Sequence, residues 1–141
     1  MKFIGNYFFL SNFYLCSVKI NGIIFPSSEN AYHYFRTNDK NAKESVIVLE
    51  PRLAKKLSKT CKTKQNWNEI KLGVMYYVCK EKFTQNIDLA EKLLETGNIK
   101  LIEHNNWGDT FWGVCNGEGE NHLGEILMKI REEFNILNYN I

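Results

Sequence analysis

The stretch VKINGIIFPSSEN, residues 18–30, limits what this chain can fold into. Asn21-Gly22 lies between β-branched residues, and that dipeptide supplies the positive φ angles of a two-residue hairpin turn. Pro26, Ser27 and Ser28 follow at once. A serine N-cap with Glu29 in the first turn opens a helix that runs to about Arg36. A hairpin running straight into a helix predicts an α+β fold. Downstream, residues 41–49 and 52–59 read as short helices separated by Pro51. Trp67, Ile70, Val74, Tyr77 and Val78 recur at helical spacing from Trp67 to Phe83. Leu89, Leu93 and Leu94 continue as a further helix ending at Thr96-Gly97, with Gly97 as C-cap. Lys100–Glu103 and Phe111–Val114 are expected to be strands beside a glycine-rich loop. Leu123, Ile126, Leu127, Ile130 and Phe134 form the buried stripe of a last helix.

At 141 residues the chain is read as one compact domain, mostly helices around a small sheet. No repeat, low-complexity tract or linker interrupts it. No apolar run approaches the roughly 18 residues of a membrane span, so no membrane partner is expected. The start, MKFIGNYFFLSNF, has no small-residue cleavage site and reads as mature sequence. Cys16, Cys61, Cys79 and Cys115 form no CxxC pair, and the three histidines show no zinc spacing. Reduced thiols in a cytoplasmic protein without metal or other cofactor are the simple expectation.

The formal net charge is only +2, but it is unevenly spread. Residues 36–82 carry twelve Lys/Arg against five Asp/Glu, and residues 83–141 carry four against ten. Within PRLAKKLSKTCKTK, Arg52, Lys55, Lys56, Lys59, Lys62 and Lys64 occur without an acid. Such a run either solvates a helix face or draws in a phosphate-rich partner.

Singly, the remaining polar residues are unspecific. Glu29 can be a helix-dipole partner. Glu103 and Asp109 flank a loop and can be turn formers. Trp67, Trp107 and Trp112 can be core. Lys71, one turn after Trp67, can snorkel, or be desolvated enough to act as a nucleophile. The four glycines between Gly113 and Gly124 fit either a tight turn or a loop whose N–H groups approach an anion.

In order, FLSNFY, SSEN-AYHYFR, WNEIKLGVM, KFTQN, LLETGNIKLIEHN, DTFWG and NGEGENHLGEILMKIRE resemble the NADAR (YbiA-like) family of N-glycosidases. The resemblance runs from Phe9 to Glu132. It implies a compact α+β hydrolase whose substrates hold ribose C1 on an exocyclic amine and carry phosphate. These are either phosphorylated ribosylamine intermediates of riboflavin synthesis or ADP-ribose attached to guanine. On the family's motifs, Glu29 is the acid/base residue, Asp109 positions sugar or base, and Trp112, beside Gly113, stacks. Asn12 and Phe13 line the pocket, and Gly117, Gly119, Asn121 and Gly124 bring N–H groups and the last helix N-terminus to a phosphate.

Two departures stand out. Asn30 occupies a position where many relatives have His, and Arg36 one where they often have Lys. Arginine stays protonated and forms no Schiff base. An imine route would therefore use Lys71, which matches the Trp-x-x-x-Lys motif, or else Lys82. The substrate-binding set is thus Asn12, Phe13, Arg36, Trp67, Lys82, Trp112 and the glycine loop. Three functions follow: removal of ADP-ribose from guanine in nucleic acid, with DNA contact through residues 52–64; hydrolysis of ribosylamine phosphates; or non-catalytic binding of ADP-ribose or nucleotides, which Arg36 would permit. The oligomeric state is left open.

Overall fold

The computed structural model describes residues 2–139, and among them helices dominate, with strands confined to two two-stranded sheets. The chain forms two compact units, one from Asn12 to Asn86, the other from the residues before Asn12 together with those from Ile87 onward.

In the Asn12–Asn86 unit, β1 (Val18–Ile20) and β2 (Ile23–Phe25) pair antiparallel, with Val18 opposite Phe25. Asn21 at φ 52° and Gly22 at φ 81° make the turn expected of Asn-Gly. Alternation buries Val18, Ile20 and Phe25. Helix α1 (Ser28–Arg36) is capped by the Ser27 hydroxyl, which accepts from the Asn30 N–H. Asp39 caps α2 (Lys40–Val48) through the Ala42 N–H, and Pro51 opens α3 (Pro51–Lys59). Helix α4 (Trp67–Gln85) completes the unit, and its Gln85 side chain pairs with both the N–H and C=O of Lys19, each at 2.7 Å.

Helix α1 packs against α2, α3 and α4 alike, and it closes the ends of two of them. Asn30, wholly buried, donates to the carbonyls of Val46 and Leu49, each at 2.8 Å, which are orphan groups in the last turn of α2. The Arg36 Nη1 donates at 2.8 Å to the Ser58 carbonyl and at 3.1 Å to its hydroxyl, at the end of α3. Both departures from the family pattern therefore have a structural task. A buried carbonyl left without a donor costs on the order of 1–3 kcal/mol.

In the second unit a 3-10 helix covers Gly5–Leu10 and α5 covers Ile87–Glu95. Gly97, at φ 61°, donates to the Leu94 carbonyl as the expected C-cap. The strands are a correction. Residues 100–103 and 111–113 are not strands; the ladder is β3 (His104–Asn105) beside β4 (Val114–Cys115), parallel and two residues long. Side chains satisfy the backbone where longer strands were expected. Asn121 accepts from the Glu103 N–H at 2.9 Å and donates to the Leu101 carbonyl at 2.9 Å. Asp109 Oδ1 accepts from the N–H groups of Phe111 and Trp112 and so bends 109–112. Helix α6 (His122–Tyr139) buries Leu123, Leu127 and Ile130 as expected, with Ile126 and Phe134 half-buried. Its Arg131, also buried, donates to the Thr96 hydroxyl and the Ile99 carbonyl.

Candidate active site

The Asn12–Asn86 unit gathers polar groups where a core would otherwise be apolar. Ser27, Ser28, Glu29, Asn30 and His33 are all buried on the first two turns of α1. The spacing 29/33 places Glu29 and His33 one turn apart on one helix face, and Glu29 Oε1 lies 2.7 Å from His33 Nε2. Because Nε2 faces a carboxylate, it carries a proton and donates to Glu29. The Glu29 side chain retains 11% of its exposure, so the carboxylate sits at the edge of the buried cluster.

Asn12 ties α1 to α4. Its carbonyl accepts from the Glu29 N–H at 3.1 Å. Its Oδ1 accepts from the Ser28 hydroxyl at 2.7 Å and from the Cys79 thiol at 3.5 Å, while its Nδ2 faces the Met75 sulfur at 3.2 Å. Burial pushes the Cys79 thiol up to about 12, and Glu29 adds to that rise while Lys82 opposes it. Cys79 therefore feels both the Glu29 carboxylate and the Lys82 ammonium.

Lys82 is wholly buried, its Nζ 5.1 Å from the Phe83 ring centre and 5.7 Å from that of Tyr14. Desolvation lowers its ammonium from the usual lysine range to about 8, although Cys16 and Cys79 act in the opposite sense. Lys71, ranked ahead of it on the motif, is only half-buried and stands eleven residues away on α4, about 16 Å along the axis. The burial that makes an amine nucleophilic near neutral pH belongs to Lys82.

The other expected residues divide. Phe13 is half-buried, with the Lys55 Nζ 5.6 Å from its ring centre. Trp67 is buried edge-on against Tyr32, with centroids 5.2 Å apart, so it is largely core. One flank still lines a polar cavity of about 550 Å³ with Arg36, Thr63, Lys64, Asn66 and Asn68. On α3, Arg52, Lys56 and Lys59 form an exposed row at helical spacing, and Lys62 and Lys64 follow it, also exposed.

In the second unit, Asp109 and Asn121 are committed to the backbone bonds described above. Trp112 is half-buried and edge-on to Phe111 at 4.8 Å and 88°, with His122 6.5 Å away. The N–H groups of Glu120, Asn121, His122 and Leu123 donate to the carbonyls of Thr110, Gly113, Phe111 and Trp112. The first two N–H groups of α6, those of His122 and Leu123, are thus already bonded within the protein. Gly117 and Gly119 turn the chain at positive φ. Gly113 and Gly124 serve close packing: a Cβ at Gly113 would lie 2.1 Å from the Glu103 carbonyl oxygen, and one at Gly124 2.1 Å from that of Leu101.

His33, Ser28 and Cys79 were not picked out from the sequence. The i,i+4 spacing of Glu29 and His33 on a helix is the signal that could have found the histidine.

The NADAR domain model matches residues 2–135. A riboflavin biosynthesis protein of Vibrio vulnificus (strain YJ016) is 42% identical over 132 residues, covering 91% of this chain but only 36% of that protein. N-glycosidase YbiA of Escherichia coli (strain K12) is 34% identical over 133 residues, covering 89% of this chain and 81% of that one. The NMR structure of E. coli YbiA superposes with a TM-score of 0.89 at 29% identity, covering 100% of this chain and 88% of that chain.

Proposed function

The chain belongs to the NADAR domain family and is a hydrolase of N-glycosyl bonds; from that premise we propose that it cleaves ribose C1 from an exocyclic amine, removing ADP-ribose from guanine in nucleic acid. The observation that carries the substrate is the exposed cationic row Arg52, Lys56 and Lys59, continued by Lys62 and Lys64. A mononucleotide-sized substrate has no use for such a row, whereas a phosphodiester backbone does.

Glu29 is the acid/base group, held by His33 at 2.7 Å. As C1–N cleavage builds positive charge on C1, the Glu29 carboxylate stabilises it, takes a proton from the attacking water and passes it to the departing guanine amine. Lys82 supplies a second route, because an exocyclic amine allows the ribose ring to open to an iminium at C1. The neutral Lys82 amine adds to C1, the C1–N bond to guanine breaks, and guanine leaves with a proton. Water then hydrolyses the Lys82 imine and frees the sugar aldehyde. Tyr14 and Phe83 cover the amine, so this route requires the cover to move when the sugar enters. Lys82 takes the role given above to Lys71 because desolvation brings its amine down to about 8, which leaves about a tenth of it neutral at pH 7, far more than for an ordinary lysine. The binding-only reading rested on Arg36, whose bonds to Ser58 explain its presence without it.

A second reading, hydrolysis of ribosylamine phosphates, is favoured by the name of the Vibrio relative. One panel separates the two: a single-stranded oligonucleotide bearing ADP-ribosyl-guanine beside ribosylamine phosphates, with freed base and sugar detected by mass. Release of ADP-ribose with recovery of the intact oligonucleotide is expected. Turnover of the ribosylamine phosphates alone would select the second reading.

A further inference from the structure

Glu29, His33 and Thr37 stand at i, i+4 and i+8 along α1 and its C-cap, and all three are buried. The first two are joined by the 2.7 Å contact. The next two carry the buried side-chain polar atoms without a hydrogen bond among the described residues: His33 Nδ1 and Thr37 Oγ1. The backbone already links them, since the Thr37 N–H donates to the His33 carbonyl at 3.1 Å. Side chains one turn apart on a helix have Cβ atoms about 5–6 Å from each other, a span that one water bridges.

Their chemistry is complementary. In the Nε2–H tautomer His33 Nδ1 is an acceptor, and a threonine hydroxyl is both donor and acceptor. Leaving two such atoms unsatisfied in a core is costly, and native interiors pair them. We propose that Thr37 is a positioning residue for the acid/base pair, its hydroxyl joined through one buried water to His33 Nδ1. That bond holds Nδ1 as an acceptor and therefore keeps the ring proton on Nε2, facing Glu29. The outcome is a relay along one helix face, Thr37 to His33 to Glu29, that sets the tautomer of the histidine and the orientation of the carboxylate. Arg36, the neighbouring charge on α1, is directed to Ser58 instead. Cys79 on α4 lies at the Glu29 end, where the carboxylate acts on its thiol. This inference rests on the catalytic reading of Glu29 for its effect on rate, but not for the bond itself.

The test uses the full chain with 15N-labelled histidine, in wild type, Thr37→Val and Thr37→Ser. The His33 ring signals are assigned as those absent from His33→Gln. Thr37→Val preserves shape and removes the hydroxyl, so the Nδ1 resonance should move toward that of an acceptor without a donor, and Thr37→Ser should restore it. Turnover should fall about tenfold in Thr37→Val, the scale of one hydrogen bond, with KM within twofold and with recovery in Thr37→Ser. Unchanged His33 signals in Thr37→Val, or equal effects of valine and serine, would overturn the relay. Should Thr37→Val fail to fold, Thr37→Ala against Thr37→Ser supplies the same comparison. The NMR arm needs no substrate: restored signals without turnover on any N-glycoside would sink the catalytic reading and leave the hydrogen bond standing.

Discussion

The start of α1 and the glycine loop before α6 are both dense in polar residues, yet they use them in opposite ways. In the loop, Asp109 and Asn105 bond the backbone of their own turn, Asn121 bonds that of Leu101 and Glu103, and carbonyls of residues 110–113 take up the N–H groups that follow. On α1, Ser27 caps its own helix and Asn30 bonds the backbone of α2, but Glu29 and His33 bond one another, and the second ring nitrogen of His33 has no direct hydrogen bond among the described residues. Chemistry is to be sought where buried polar groups still have hydrogen-bonding capacity after the backbone is satisfied. By that criterion the chemistry proposed above is assigned to α1 and a structural part to the bonded residues of the loop.

The largest effect should come from α1. Glu29→Gln keeps the size of the side chain and removes the carboxylate, so turnover should drop at least 100-fold, the scale of a lost acid/base group, with an unchanged circular dichroism spectrum. Near-normal turnover would reverse the contrast and return the role to Asp109 or Glu103.

Lys82 comes next. Its folded value, about 8, lies below the ordinary lysine value of 10.5, so the folded state favours the neutral amine. The resulting penalty is full below about pH 8 and fades as pH rises toward 10.5. Wild type should therefore gain stability over that window, while Lys82→Met should lack the slope and be more stable at pH 7 by up to about 3 kcal/mol. It should also lose any sugar adduct trapped by borohydride, and the wild-type imine step should rise with pH and level above about 8. Denaturant melts at several pH values check the first claim. A Lys82→Met that is both less stable and still forms an adduct would move the nucleophile to Lys71.

In the loop, substitutions should act on stability. Gly124→Ala forces a Cβ against the Leu101 carbonyl and should cost on the order of 1–3 kcal/mol, as overpacking does. Asp109→Ala removes an acceptor for two N–H groups and should cost about 1 kcal/mol, like a lost helix cap. Asp109→Asn keeps that acceptor and should restore both stability and turnover. Failure of the asparagine to restore turnover would show that the charge itself matters. The smallest effect is on the surface. Changing Lys56 and Lys59 to Gln should lower the salt dependence of oligonucleotide binding by about two phosphate contacts. Lys55, placed over Phe13, should contribute less to that slope.

The local rules read most of this fold. Asn21-Gly22, the Ser27 cap, Pro51 and the Gly97 stop all act within a few residues, where sequence is explicit. The strands near 101–114 were misplaced because Asn121, some twenty residues away, supplies the bonds a ladder would have supplied. Glu29 was legible through the family motif, and His33 could have been read from spacing alone. The burial of Lys82 could not, because Tyr14 and Phe83 meet it only through tertiary packing.

The bonds from Asn30 to Val46 and Leu49, and from Arg36 to Ser58, also bear on how this sequence can change over time. Each residue at these two positions serves a neighbouring helix as well as its own. A histidine introduced at 30 would uncover two carbonyls at the end of α2, and a lysine at 36 would replace a rigid planar donor with a single mobile ammonium. Substitutions at 30 and 36 are therefore contingent on prior changes at the ends of α2 and α3. Residues moved singly between relatives would be tolerated in one background and rejected in another.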